Sequence, residues 1–146
     1  MSLPDSIIVP GRIADAIAKQ ANAEFPNEAC GYLAGVDNRI ELRIPMRNVD
    51  ASPEHFSFDP AEQFAALKTA REVGLSLIGT YHSHPETPAR MSEEDIRLAV
   101  DTSMYYAIYS VAEEKLKVFT VDAAKTVSET RVELLDAVDT ARNARS

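Results

Sequence analysis

A chain of 146 residues, 45% hydrophobic and 26% charged, has the length and composition of one soluble globular domain able to bury a core. The net charge of −8 argues against a nucleic-acid binder, because neutralising phosphates needs a basic face and no Lys/Arg cluster supplies one. No apolar run approaches the roughly 18 residues that span a bilayer, no signal-peptide pattern opens the chain, and one cysteine, Cys30, excludes an internal disulfide and cysteine-rich zinc frameworks while suiting a reducing cytoplasm.

"SIIVP" predicts a short strand. "GRIADAIAKQANAEF" then predicts a helix, with Ile13, Ala16, Ile17 and Ala21 at helical spacing and Pro26 closing the segment. "EACGYLAG" and "RIELRIPM" read as two strands around the turn "VDNR". "DPAEQFAALKTAREVG" is a punctuated helix: Asp59 as N-cap, Pro60 in the first turn, Glu62 completing a capping box and Gly74 at the end. Its core face is expected to carry Phe64, Leu67, Ala70 and Val73. "LSLIGTYHSH" is a strand broken at Pro85. "SEEDIRLAV" opens a helix expected to bury Ile96, Ala99 and Val100, and "MYYAIYSV" reads as a central strand covered on both faces. "AEEK" turns into the strand "LKVFTV", "TVSETRVEL" alternates like a strand with one wet face, and "LLDAVDTARNARS" leaves room for a final helix. Strands and helices mix without strict βαβ alternation, so the expected fold is α/β (α+β mixed): a mixed sheet flanked by helices, one domain over residues 1–146.

The chemistry concentrates in "YHSHPETPARMSEED", residues 81–95. On a strand, His82 and His84 project from one face. A helix opening at Ser92 puts Asp95 on its first turn; if that turn folds back over the strand end, two imidazoles and a carboxylate form a known zinc set with a fourth position left for water. Plainer readings stand beside this one. His-x-His also suits a hydrogen-bonded pair in a polar loop, and Ser92 with Glu94 and Asp95 suits a capped helix start whose acids complement the dipole. Cys30 reads as a small buried hydrophobe, Glu28 as a surface carboxylate near a strand start, His55 as a loop histidine, and Ser83 as a packing or hydrogen-bonding residue on the face opposite the histidines.

The whole pattern resembles the JAMM (MPN-plus) family of zinc metalloproteases, whose signature is an upstream Glu followed by H-x-H-P, six residues, and S-x-x-D. Here His82-Ser83-His84-Pro85 is followed by six residues, Glu86 to Met91, and then by Ser92-Glu93-Glu94-Asp95. That downstream string should arise by chance in about one chain in 10⁵ of this size, which sets coincidence aside. "PNEACGYLAG" resembles the segment carrying the family's catalytic Glu, and "NVDASPEHFSFDPAEQF" is similar to the bacterial branch, where an Asn, a phenylalanine and an Asp-Pro lead into the helix. The resemblance covers roughly residues 6–121. It implies a curved mixed β-sheet flanked by helices in a JAMM/MPN (cytidine-deaminase-like) core. It also implies one Zn²⁺ per chain on His82, His84 and Asp95, with Glu28 carrying a proton from water to the departing amine. Ser92 would donate to the tetrahedral oxyanion, a role compatible with capping because a hydroxyl both accepts and donates.

The resemblance further implies cleavage after the C-terminal glycine of ubiquitin or a ubiquitin-like protein. Only about ten residues separate the strand pair from the Asp59 helix, too few for the long gripping insertions of eukaryotic deubiquitinases. Such compact members are similar to bacterial and archaeal enzymes acting on small ubiquitin-like sulfur carriers of the β-grasp type. The expected partner is thus a β-grasp protein ending in Gly-Gly, and the expected products are the free carrier and an amino acid such as cysteine, or a short adduct. The alternatives are a deconjugating isopeptidase that removes a ubiquitin-like modifier from protein lysines, and a non-catalytic MPN interaction scaffold. Such scaffolds usually lose a signature position, whereas Glu28, His82, His84, Ser92 and Asp95 are all present. A nucleobase deaminase shares the zinc–glutamate logic but needs a P-C-x-x-C motif that a single cysteine does not supply.

Overall fold

The structure, a computed structural model, describes residues 3–135. The C-terminal helix expected in the tail lies outside the described residues. In chain order the elements are β1 (Ser6–Pro10), α1 (Gly11–Glu24), β2 (Cys30–Val36), β3 (Arg39–Met46), α2 (Pro60–Glu72), β4 (Ser76–His84), α3 (Glu93–Leu98), β5 (Tyr105–Ser110), β6 (Lys115–Val121) and β7 (Val127–Leu135).

These strands form one mixed sheet in the order β1-β3-β2-β4-β5-β6-β7. β1 runs parallel to β3 and β7, and β4 parallel to β5; the other pairs are antiparallel. The curvature expected of the sheet is carried to closure. β1 pairs with β7 from Ser6–Arg131 to Pro10–Leu135 and meets β3 at the single pair Ile8–Arg39, so among the described residues the sheet closes into a barrel whose β1–β3 seam is one pair long. No helix among the described residues is long and apolar enough to cross a membrane.

β2 and β4 are buried on both faces where they lie side by side. From β2, Leu33 joins the larger core with Ile7, Val9, Ile40, Tyr81, Tyr105 and Val118, into which α1 lays Ile13, Ile17 and Ala21. Cys30 and Tyr32, pointing the other way, join Met46 and Ala66 beneath α2, with Phe56 and Phe58 packed against them. Opposite Tyr81, Gly31 is required by contact: a Cβ there would stand 2.4 Å from the Tyr81 ring and hydroxyl. Tyr81 Oη donates to Gln20 Oε1 (2.5 Å) and Arg43 Nη1 donates to the same oxygen (2.7 Å), binding α1, β3 and β4 together. As expected, β5 is buried along nearly its whole length.

The helices depart from the expected pattern in three places. On α2 the buried residues are Ala66 and Ala70, while Phe64 and Val73 are 71% and 61% exposed. Phe56, Phe58 and Tyr32 already fill the space beneath this helix, so only small side chains fit against the sheet. The Asp59 capping box is half made: Asp59 Oδ2 accepts from Glu62 N–H (3.1 Å), but the Glu62 carboxylate turns to Arg47 instead. Finally, α3 ends at Leu98, and Ala99 leaves helical geometry at ψ 82°. The helical spacing therefore does not reach Val100, which is 80% exposed, although Ala99 is buried.

Candidate functional site

His82 and His84 occupy the last turn-free stretch of β4, both about 5% exposed, with their Nε2 atoms 3.1 Å apart. Pro85 ends the strand, and the chain returns through residues 86–91 to α3. Asp95 Oδ1 then lies 3.2 Å from His82 Nε2, and Oδ2 lies 3.0 Å from His84 Nε2. Among the described residues, these three form the group of side chains whose ligand atoms converge closely enough for a metal ion. Ligands bonded at about 2.0–2.1 Å around a tetrahedral zinc ion stand about 3.3 Å apart, so spacings of 3.0–3.2 Å fit such an ion.

Each member is held from behind. His84 Nδ1 donates to the Pro88 carbonyl (2.9 Å), which turns Nε2 toward the cluster. The flanking residues are pinned by the β5–β6 end of the barrel: Ser110 Oγ donates to Thr87 O (2.7 Å) and Ala89 N–H donates to Glu113 Oε1 (2.9 Å). Phe56 stacks on His82 with ring centroids 4.7 Å apart. Asp95 is set by a full capping box. Ser92 Oγ accepts from Asp95 N–H, and Asp95 Oδ2 accepts from Ser92 N–H, both at 3.0 Å. Burial pushes the Asp95 carboxyl upward, but hydrogen bonds from His82, His84 and Ser92 outweigh it and hold this group well below the usual carboxylate range. It is therefore an anion at neutral pH. Burial pushes the His84 imidazole down, and the Asp95 and Pro88 hydrogen bonds overcome this and raise it. Ser92 itself is exposed, and its hydroxyl hydrogen meets no acceptor among the described residues.

Glu28 is not the surface carboxylate its position suggested. It is 4% exposed, and Oε1 is buried without a hydrogen-bond partner. Its backbone is clamped on both sides, with N–H donating to Ser52 O (2.8 Å) and the carbonyl accepting from Asn48 Nδ2 (3.0 Å). The next residue is tied to the histidine strand: Ala29 N–H donates to Ser83 Oγ (2.8 Å), and Ser83 N–H donates to Ala29 O (2.9 Å). Ser83 thus hydrogen-bonds on the face opposite the histidines, as read from the sequence. Burial raises the Glu28 carboxyl to about 8; His84 opposes the shift, and the negative charges of Asp95 and Glu94 add to it. Cys30 is fully buried with its thiol pushed up to about 12 by burial, an inert packing residue. His55 is an exposed loop residue bonded to Asp50 (3.0 Å).

Asn48, Phe56, Pro88, Ser110 and Glu113 hold the cluster in place, and no spacing rule marks them. Asn48 and Phe56 fall within the stretch similar to the bacterial branch, which drew attention to that loop without assigning roles. Beside His82 opens a groove of about 430 Å³ walled by Tyr32, Phe56, Phe58, Leu98, Val100 and Tyr106.

The mixed sheet, its flanking helices and this cluster at the end of β4 define a hydrolase of the JAMM type. A family model described as prokaryotic homologs of the JAB domain matches residues 10–123, and the chain belongs to that family. It is 31% identical over 106 residues to the CysO-cysteine peptidase of Mycobacterium tuberculosis, covering 71% of this chain and 73% of that protein. It is 37% identical over 94 residues to a probable TtuB-protein conjugate cleaving protease of Thermus thermophilus, covering 64% and 63% of the two chains. A solved structure of a protein from Desulfitobacterium hafniense superposes with a TM-score of 0.81 at 42% identity, covering 89% of this chain and 93% of the other.

Proposed function

We propose that this protein is a zinc-dependent metallopeptidase that hydrolyses the amide bond after the C-terminal Gly-Gly of a small ubiquitin-like sulfur-carrier protein, releasing an amino acid such as cysteine or a short adduct. The observation that carries the reading is the three-way convergence of His82, His84 and Asp95 at 3.0–3.2 Å beside a buried carboxyl with an unpartnered oxygen. The donor set fits zinc, and His82, His84 and Asp95 would hold it. When bound, zinc supplies Lewis acidity toward water and the scissile carbonyl.

Glu28 takes the proton from the attacking water and passes it to the departing amine. Burial raises this carboxyl in the metal-free chain, and a bound dication beside it would favour the ionised form that accepts the proton of water. Its clamped backbone leaves only the side chain free to move during that transfer. Ser92 Oγ accepts the cap bond from Asp95 N–H and keeps its own hydrogen for the oxyanion developing on the substrate. The largely apolar groove beside His82 is suited to a narrow, extended Gly-Gly tail. The relationship to a CysO-cysteine peptidase supports this choice of substrate.

The relationship to a protease of protein conjugates favours a second reading, an isopeptidase that frees a ubiquitin-like modifier from lysine. Mass spectrometry separates the two. A carrier ending in Gly-Gly-Cys is incubated with the zinc-loaded protein and with its Glu28→Gln variant, in parallel with a Gly-Gly-lysine conjugate. Loss of one cysteine by the wild type alone supports the first reading. Cleavage of the lysine conjugate only would replace it with the second, and no cleavage of either would refute both.

A further inference from the structure

α3 carries Ser92 at its cap and Asp95 on its first turn, yet its six residues include none that is buried. The capping box shapes the first turn without attaching it to the barrel. Among the described residues, two sets of hydrogen bonds join the helix to the rest of the protein. One runs from Asp95 to the histidines; the other is at the opposite end. There Lys125 Nζ donates to the carbonyl oxygens of Ala99 (2.8 Å), Ile96 (3.1 Å) and Arg97 (3.3 Å). An ammonium has three donors, and here each has an acceptor. Two of these carbonyls belong to the last turn of α3 and the third to its cap; Ile96 O also accepts from Ala99 N–H (3.2 Å), and a cation beside the three complements the negative end of the dipole.

The base of this lysine is an exposed turn closed by its own hydrogen bonds. Asp122 Oδ1 accepts from the N–H groups of Ala124 (2.9 Å) and Thr126 (2.8 Å), and Lys125 N–H donates to Asp122 O (2.9 Å). The turn holds Lys125 at φ 66°, a left-handed conformation that Gly or Asn adopts more readily. The segment it grips then continues into the groove, where Leu98, Ala99 and Val100 form part of the wall; at the next residue, Tyr106 Oη donates to Asp101 O (2.8 Å).

We propose that Lys125 is a positioning residue: by tying the C-terminal carbonyls of α3 to the β6–β7 turn, it holds Asp95 against His82 and His84 and fixes the Leu98–Val100 wall of the groove. Its consequences for metal and substrate rest on the function proposed above; the tether does not.

The test replaces Lys125 by methionine, which keeps the aliphatic length and removes the donors, and by arginine, which keeps a cation. Amide hydrogen exchange on the metal-free proteins is read first. In Lys125→Met the amides from Asp95 to Ala99 should exchange about tenfold faster, the size expected from losing charge-assisted bonds, while barrel amides stay unchanged. Zinc affinity by chelator competition should fall about tenfold and KM for the carrier should rise, with Lys125→Arg recovering most of both. Equal exchange in α3 would remove the tether. Faster exchange with unchanged zinc affinity would disconnect Lys125 from Asp95. A wild type that takes up no zinc would refute the metal reading, and exchange would still decide the tether.

Discussion

Replacing Glu28 with glutamine removes a buried titratable group while keeping the shape of the side chain, and its effect on the metal-free protein can be worked out from burial. The carboxyl titrates near 8 in the folded chain against an ordinary value of 4.5. Between those two values the folded state binds a proton that the unfolded state has lost, so stability falls as pH rises through the window. The slope is at most about 1.4 kcal/mol per pH unit, and the loss between pH 5.5 and 8.5 is on the order of 3 kcal/mol. Glutamine carries no such penalty. Urea unfolding of both metal-free proteins at the two pH values brings out the effect, because titrating groups that do not feel the Glu28 charge cancel in the difference and the His84 coupling is the smaller contribution. Glu28→Gln is expected to gain stability over the wild type by that amount as pH rises, while turnover with zinc falls by about 10²–10⁴, the range for a lost general acid–base. Parallel stability–pH curves for the two proteins would show that Glu28 is solvated in the folded chain. Its Oε1 would then be hydrated rather than unpartnered.

Two further substitutions separate the layers of the site. Ser92→Ala deletes the acceptor for Asp95 N–H and should cost about 1 kcal/mol of stability. It leaves the bond from Ser92 N–H to the Asp95 carboxylate, so zinc stoichiometry should be kept while kcat drops by about 10²–10³; an unchanged kcat would leave Ser92 as a cap alone. Asn48→Asp removes the donor shared by the Glu28 and His55 carbonyls. Leaving buried carbonyls unpaired should cost about 1–3 kcal/mol, and kcat should fall with metal content unchanged. Loss of metal with normal kcat per bound ion would show that Asn48 supports the ligands rather than Glu28.

The parts legible in the sequence are those governed by short-range geometry. Alternation along a strand puts His82 and His84 on one face whatever surrounds them, and a serine followed at the third position by an acid closes a helix start locally, so the Ser92–Asp95 box could be read without knowing the fold. The strands around Cys30, Tyr81 and Tyr105 announced themselves by apolar runs bounded by turn residues. Where the reading failed, a distant partner decided the outcome. Glu62 had the right spacing for a box, but Arg47 from the end of the neighbouring segment took its carboxylate. Phe64 had the right periodicity for a core face, but aromatic side chains from β2 and from the loop between β3 and α2 had filled the space.

By itself, the sequence picked out His82, His84, Ser92 and Asp95 as the candidates for the chemistry, with the strand face and helix turn they occupy, because those properties depend on residues a few positions apart. Only the tertiary structure decided that the sheet closes, that Asp95 reaches both imidazoles, that Glu28 is buried with a raised pKa, and that Asn48 and Lys125 hold the pieces in place. Each of these depends on groups brought together from separate elements. A carboxyl near a strand start becomes a buried group with a raised pKa, and a turn lysine reaches a helix end, through what the fold packs beside it.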